Sequence, residues 1–306
     1  MPAVILSRFG AALVVVIGVC TLVFLLIHLV PGDPVEAMLG ERAQASDSAA
    51  LRAALGLDLP LWEQYRRYLT DLLHLDLGES FLDQRPVVAI LAERLPATLR
   101  LAVAALGTAV IIALPLGVLA ARFRGTAVDS AAMTLSLAGI SIPNFWLGPL
   151  LILVFSLWLG WTPVSGDERA TSIILPAITL GTAMAAILAR MVRASMLEVL
   201  GEDYVRTARA KGLGEGAVLW RHALRNAWLP VLTVIGLQLG GLLGGAVITE
   251  TVFAWPGIGS LLVEAIKARD FPVVQGCVLL ISLCYVLVNA DTDLAYVWID
   301  PRIGSR

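Results

Sequence analysis

One polar segment, residues 202–230, interrupts a chain that is otherwise mostly apolar. It reads EDYVRTARAKGLGEGAVLWRHALRNAWLP and carries five arginines or lysines, three acids and one histidine. Charged residues make up only 15% of the whole chain, so this concentration is unusual. Side chains of these types could orient a membrane protein, contact nucleic acid or dock a soluble partner. The segment is therefore the leading candidate for a functional site.

Sequence patterns that carry phosphate chemistry or hydrolysis are missing. No G-x-x-x-x-G-K-[ST] loop occurs, because the glycines at 212, 214 and 216 lack both a following Lys-Ser/Thr and a preceding strand. Neither a G-x-S-x-G elbow nor an H-E-x-x-H helix is present. We therefore expect no catalytic residue and no ATP hydrolysis on this chain.

The histidines and cysteines predict neither a metal site nor disulfides. His28, His74 and His222 are far apart in three different contexts, which favours neither a metal cluster nor a Ser-His pair. All three cysteines, at positions 20, 277 and 284, lie inside apolar runs. We expect no metal and no cofactor on this chain.

Long apolar runs predict the elements that must position the polar segment. The mean hydropathy of +0.84 is too high for a soluble globular protein. Each run reaches the ~20 residues that an α-helix needs to cross a bilayer. The runs without Asp, Glu, Lys or Arg cover residues 9–30, 101–121, 130–166, 170–189, 226–249 and 271–290. We predict an all-α membrane protein with six transmembrane helices, in which residues 130–166 form one span with an apolar, proline-containing tail.

The distribution of arginine and lysine predicts the orientation. The first run has a 22-residue apolar core without a small-residue cleavage pattern, so we expect it to stay in the protein. With six spans both termini share a face, which holds twelve arginines or lysines against three in the short loops of the other face. Both termini and residues 202–230 should therefore be cytoplasmic.

The predicted organisation has three parts. Residues 1–30 form the N-terminal transmembrane helix, residues 31–96 an extracytoplasmic cap, and residues 97–306 a five-helix core that contains the loop 202–230. In the cap, five residues of one predicted helix share a face: Leu61, Tyr65, Tyr68, Leu69 and Leu72. A second external segment, residues 253–259, is a Pro-Gly turn followed by a short amphipathic run.

Two features of the last spans leave alternatives open. In the fifth span, Gly236, Gly240 and Gly244 recur every four residues, which suits close approach of another helix, although glycine is also common in membrane helices generally. In the sixth, Asp291 and Asp293 lie at the end of the apolar run. Interfacial anchoring is favoured there over an ion or substrate role, because a carboxylate inside the bilayer is costly.

The polar segment is predicted to form two short helices. Glu202 and Asp203 lie in a first turn, where the helix dipole favours acids, and Lys211 precedes a break at residues 212–214. After the break, an apolar stripe is predicted at four positions: Ala217, Trp220, Leu224 and Ala227. Pro230 is then expected to open the fifth span.

Three interpretations of this segment compete. It could be a loop that only orients the protein, a nucleic-acid patch, or a docking helix pair for a soluble partner. Five bases against three acids make a weak field for nucleic acid. A capped helix, a glycine break and a second amphipathic helix are more order than orientation requires, which favours docking.

Short motifs run along nearly the whole chain. Residues 203–213 read DYVRTARAKGL, and the others are LVPGDP at 29–34, LGLD at 55–58, DLG at 76–78, IPNFW at 142–146, FAWPGIG at 253–259 and DPRI at 300–303. In these motifs the chain resembles the inner-membrane permeases of binding-protein-dependent ABC importers, in the dipeptide, oligopeptide, nickel and glutathione branch. Residues 203–213 look like that family's EAA loop.

The resemblance implies the type I permease fold and a docking role for the loop. The residues that would contact an ATPase subunit are Glu202, Asp203, Tyr204, Arg206, Thr207, Ala208, Lys211, Gly212 and Leu213. Spans two to five would line the path, with Gln238, Gly240 and Gly244 at the path or at a subunit seam. Trp255, Pro256 and Gly257, together with the cap, would face an extracytoplasmic solute-binding protein.

The implied assembly contains a second homologous permease, two ATPase subunits that hold ATP and Mg, and the solute-binding protein, in the lipid of a bacterial inner membrane and without nucleic acid. Two departures stand out, since Arg206-Thr207-Ala208 replaces Glu-Ala-Ala and Asp291 occupies a usually apolar position. The function implied is half of an import path for peptides, with nickel or glutathione as alternative cargo. A self-sufficient secondary transporter is less favoured, because the apolar runs of spans one to five contain no acid.

Overall fold

The computed structural model describes residues 2–29, 52–53 and 56–299, without the side chains of residues 2–9, 11–12, 26–29, 243–245, 291 and 293–299. Its helices are, in chain order, α1 Pro2–Leu29, α2 Leu61–Leu73, α3 Val87–Arg122, α4 Ala127–Ser141, α5 Asn144–Leu151, α6 Ile174–Leu200, α7 Asp203–Ala210, α8 Leu224–Val252, α9 Ile258–Ala268 and α10 Phe271–Ile299. Two π-helical turns, Ile152–Trp158 and Val218–Ala223, follow α5 and precede α8. The predicted all-helical class is confirmed for these residues.

Several of these helices suit a membrane. Val87–Arg122, Ala170–Leu200 and Phe271–Ala290 are long and apolar enough to cross one, and two bent helix pairs raise the number to as many as five. Within α1, Leu13–Leu25 is a shorter apolar helix. The membrane-spanning character is thus confirmed, whereas six spans and cytoplasmic termini stay predictions.

The third predicted span is broken rather than continuous. Helix α4 ends at Ser141, and α5 with its π-helical turn continues at an angle of 99°. The cause is Pro143, because a residue before proline is pushed out of the α conformation and Ile142 is extended, with ψ 114°. Residues 130–166 therefore contain two helical segments around a bend in place of one straight helix, and the number of spans that they form stays a prediction.

Helix α3 begins earlier than predicted. It starts at Val87, directly after the bridge between Glu79 and Pro86, whereas the uncharged run begins only at residue 101. Its 36 residues extend about 54 Å, well beyond the ~30 Å of hydrocarbon. The sequence did not reveal the first turns of α3 because they carry charged residues.

One compact unit contains residues 1–97 and 256–287. Tyr65 of α2 approaches α1 through a hydroxyl contact of 2.7 Å with Thr21 and an edge contact with Phe24, so the predicted apolar face of α2 is used. Gly276 of α10 lies so close to α3 that a Cβ there would be 2.6 Å from Val87 Cγ1. Residues 256–287, which were predicted within the core 97–306, therefore belong to this unit.

The second unit contains residues 98–255 and 288–306 and is built around α6. Glycines bring neighbouring helices close to it: a Cβ on Gly117 of α3 would lie 2.6 Å from Val192 Cβ, and one on Gly181 would lie 2.8 Å from the Ala105 carbonyl oxygen. Fourteen residues of α6 are buried. Helix α6 is thus the central support from which α7 follows.

Helix α8 does not begin at Pro230. It begins at Leu224, and Pro230 lies inside it. Proline removes one helical hydrogen bond, which membrane helices tolerate when neighbouring groups compensate. The expectation that Pro230 opens the fifth span is therefore wrong, and the polar segment runs directly into α8.

Candidate functional site

The polar segment starts with α7, which forms for local reasons. Glu202 has an extended backbone at the N-cap, with ψ 148°, and Asp203 occupies the first turn, where it suits the helix dipole. The Thr207 hydroxyl donates to the Asp203 carbonyl oxygen at 2.9 Å, and Arg206 Nη1 lies 3.3 Å from the Asp203 carboxylate. This first turn agrees with the prediction.

A glycine ends α7, as predicted. Gly212 has a φ of +81°, a region that side chains rarely adopt, and a Cβ there would meet nothing within 4 Å. The backbone N–H groups of Gly212 and Leu213 donate to the carbonyls of Arg209 and Ala208. Lys211 is the C-cap, so Arg209 rather than Lys211 supplies the base of the last turn.

The inner face of α7 packs against the end of α6. Val205 is fully buried and Ala208 is nearly so, and both contact Val218 in one apolar cluster. Val199 and Leu200, the last residues of α6, pack against the same cluster. Ala208 was predicted to contact an ATPase, and this is corrected, because its side chain faces inward.

The outer face of α7 is open. Of the other residues predicted to dock, every one is exposed: Glu202, Asp203, Tyr204, Arg206, Thr207, Lys211, Gly212 and Leu213. Two of them are apolar or aromatic, since Tyr204 is 39% and Leu213 is 40% exposed. An exposed aromatic residue among mobile charges is typical of a protein-contact surface.

The apolar stripe predicted after the glycine break is wrong at its first two positions. Leu224 and Ala227 are buried as expected, but Ala217 and Trp220 are exposed. Val218 and Leu219 are buried in their place. The cause is the π-helical turn Val218–Ala223, which widens the helix and shifts the register that a 3.6-residue period assumes.

Glu215 joins the segment to α3, a link that the sequence did not reveal. Its Oε1 accepts from Arg209 Nε at 2.9 Å, and its Oε2 lies 3.5 Å from Arg122 Nη1. These three side chains are all more than a third exposed, so water screens the pairs and their stabilisation is small. The arrangement nevertheless marks where α7 meets the C-terminal end of α3.

The predicted path residues have partners within the second unit. Gln238 is half-buried and its Nε2 donates to the Met184 carbonyl oxygen at 3.1 Å, which ties α8 to α6. Gly236 packs tightly, because a Cβ there would overlap Thr292 Cγ2 of α10. Gly240 is buried, and the surroundings of Gly244 lie outside the described side chains.

The external turn is less exposed than predicted. Trp255 is 2% exposed, and the Arg100 guanidinium stands 5.8 Å from the centre of its ring. Its indole therefore cannot face a partner, which corrects that prediction. Pro256 is half-buried and Gly257 is buried.

The sequence did not reveal that some acids are buried, among them Glu250 and Asp129. Glu250, near the end of α8, is fully buried and accepts a hydrogen bond from the Thr98 hydroxyl at 2.8 Å. Asp129 in α4 is buried and pairs with Arg193 of α6. Each of these two acids lies at the edge of a run without charged residues, a position that in the sequence suggests the membrane–water interface. Only the folded structure shows that their side chains are buried. Asp291 and Asp293 lie outside the described side chains.

Comparison with known proteins matches the chain along its whole length. A family described as binding-protein-dependent transport system inner membrane component matches residues 113–305, and the N-terminal part of such components matches residues 1–102. The chain is 46% identical to the dipeptide transport system permease protein DppB of Escherichia coli (strain K12), over 99% of this chain and 98% of that protein.

Two further similarities agree. The glutathione transport system permease protein GsiC of Escherichia coli (strain K12) is 46% identical, over 94% of each chain. A structure of the MetNI methionine ABC transporter in an inward-facing conformation aligns with a TM-score of 0.58 at 21% identity, covering 69% of this chain and 96% of that one. This last similarity concerns the fold alone.

Proposed function

Since the chain belongs to the binding-protein-dependent transport system inner membrane components, as a permease subunit of an ABC importer and not an enzyme, we propose that it forms half of an import path for a dipeptide or short oligopeptide. The relatives named for dipeptide and glutathione transport support peptide-like cargo. Glutathione or a nickel complex is the alternative cargo.

The observation that carries the mechanism is the two-faced geometry of α7. Its inner face is fixed to the end of α6 by Val205 and Ala208, whereas its outer face exposes Tyr204 and Leu213. An ATPase that grips the outer face would therefore displace α6 together with α7. Because α6 is the central helix of its unit, the displacement would reach the spans around it.

The assembly that we propose contains this permease, a second similar permease, two ATPase subunits and an extracytoplasmic solute-binding protein. ATP and Mg would be held by the ATPase subunits, since this chain has no phosphate-binding loop. The membrane lipid surrounds the spans, and no contact with nucleic acid is part of the proposal.

Residues for the path and for the binding protein remain candidates of this proposal. Gln238, Gly240 and Gly244 lie on α8, whose close approach to α10 at Gly236 supports a helix seam there. Pro256 and Gly257 follow a buried Trp255, so contact of a binding protein with this turn would use the exposed neighbour Ala254.

The test is uptake by vesicles that contain the permease pair with and without the ATPase subunits. Labelled dipeptide should accumulate only when the ATPases, ATP and the loaded binding protein are present. Uptake without ATPases, driven by a proton or sodium gradient, would show a secondary transporter and overturn the proposal. Competition by unlabelled glutathione or by nickel would redirect the assignment of cargo.

A further inference from the structure

One ion pair attaches α4 to α6 close to the cytoplasmic segment. Arg193 donates from Nε to Asp129 Oδ1 and from Nη2 to Asp129 Oδ2, both at 2.7 Å. The backbone N–H of Gly125 donates to Oδ2 at 3.0 Å. The carboxylate of Asp129 therefore has both oxygens occupied in a fork-to-fork geometry, which fixes direction as well as distance.

The Asp129–Arg193 pair is more buried than the ion pairs within residues 202–230. The side chain of Asp129 is 8% exposed and that of Arg193 is 28% exposed, whereas Arg209 and Glu215 are each 42% exposed. Exposed pairs form and break readily because water and salt screen them. A buried bidentate pair holds its two helices together far more persistently, since an unpaired charge there would be costly.

The position of Arg193 along α6 places the pair next to the docking element. Arg193 lies seven residues before Leu200, which is about 10 Å along the helix axis. Leu200 itself packs against the cluster of Val205, Ala208 and Val218. Any displacement of α7 therefore reaches Arg193 through one rigid helical segment.

Beyond the pair, α4 follows α6 and then turns away. A Cβ on Gly139 would lie 3.0 Å from the Thr182 carbonyl oxygen, so the two helices also touch at the far end of α4. At that contact Gly139 faces the backbone of Thr182 and the methyl group of Ala186, without an ion pair. After the bend at Pro143, Gly148 of α5 packs against Phe253 at the end of α8. The Asp129–Arg193 pair is thus the contact of fixed geometry near the start of α4, and the contacts of Gly139 and Gly148 follow it along α4 and α5.

We propose that Asp129 and Arg193 are positioning residues for transport, which make α4 and the bent α4–α5 pair move with α6 when an ATPase moves α7. The proposal rests on the proposed function, because it assigns the step by which work received at α7 reaches the spans. Neither residue touches ATP or cargo. Without the pair, α6 moves while α4 lags, so ATP is hydrolysed without matching uptake.

The test uses the complete assembly in vesicles. Solute uptake and ATP hydrolysis are measured separately, and the solute is one that the unaltered assembly has been shown to import. The variants are Asp129→Asn, Arg193→Gln and the double variant. Each single change should lower the solute imported per ATP hydrolysed about tenfold, because it removes a charged hydrogen-bonded pair and leaves its partner unpaired. The double variant should keep the low ratio, because it also lacks the bidentate link, although it leaves no charge unpaired.

Two further variants separate positioning from folding. Arg193→Lys keeps the charge but loses the bidentate fork, so an intermediate ratio is expected even if the other variants fold poorly. Arg190→Gln is the matched control, because Arg190 is an exposed arginine of α6 without an ion pair among the residues that the structure describes. It should keep the original ratio.

The inference is overturned if the Asp129 and Arg193 variants import as much solute per ATP as Arg190→Gln. It is also overturned if uptake and hydrolysis fall in parallel with the amount of folded protein, which would show a structural role only. If the unaltered assembly shows no ATP-dependent uptake at all, the proposed function itself fails, and that result is recognised without any variant.

Discussion

Two elements are attached to the C-terminal half of α6 by different kinds of contact. Helix α7 packs through Val205 and Ala208 in an apolar cluster, whereas α4 is held by the buried pair of Asp129 and Arg193. Apolar contacts have no preferred direction and permit small rotations, while a bidentate ion pair permits one geometry. The difference indicates that the docking element can adjust to its partner, whereas the onward connection is rigid.

The most severe way to break the apolar attachment is a charge in its centre. Val205→Asp should abolish ATP-dependent uptake, because an unpaired carboxylate at this fully buried site costs roughly 3 kcal/mol or more and frees α7 from α6. Uptake by the reconstituted assembly and the yield of folded protein measure the effect. Ala217→Asp, at an exposed position of the same segment, should retain most of the uptake. Equal loss in both variants would contradict the assigned inner face.

A smaller effect is expected where only the shape of the docking turn changes. Gly212→Asp should express normally but uncouple transport, because a side chain at φ +81° costs about 1–2 kcal/mol and shifts Leu213. Gly214→Asp is the matched control, since Gly214 has a φ of −62° and open space around its Cα. The ratio of uptake to ATP hydrolysis is the readout. Normal ATP-dependent uptake by Gly212→Asp would show that the conformation of this turn is not required for coupling to the ATPase.

The smallest effect is expected at the exposed link to α3. Glu215→Gln should reduce uptake less than threefold at low ionic strength, because exposed ion pairs contribute ~0–1 kcal/mol, and the reduction should disappear in high salt. Glu198→Gln, an exposed acid of α6, serves as the control. A large, salt-independent loss at Glu215 would mean that the rigid connection includes α3 as well.

Local sequence patterns predicted what depends on local structure. Apolar runs gave the helices α3, α6 and α10, and the glycine at 212 gave the end of α7, since these depend on the solvent and on a single backbone conformation. All of these features are encoded within about 20 neighbouring residues.

Features that depend on distant contacts or on irregular helices were missed. Asp129 and Arg193 are 64 residues apart, so no local sequence pattern predicts their pairing. The register predicted after Gly214 failed because a π-helical turn replaced the assumed 3.6-residue period, and Trp255, which was predicted to face a partner, is buried beside Arg100. In each case tertiary contacts decide burial, and periodicity alone cannot show them.

The most direct test of the central claim is photo-crosslinking from the outer face of α7. A photoreactive phenylalanine analogue at position 204 replaces an exposed tyrosine, and one at position 103 replaces Val103, which is 70% exposed but lies within the long apolar helix α3. In the active assembly, we predict a cross-link from 204 to the ATPase subunit and none from 103. If position 204 gives no cross-link to the ATPase while uptake remains ATP-dependent, the outer face of α7 is not the surface through which the ATPase moves this permease.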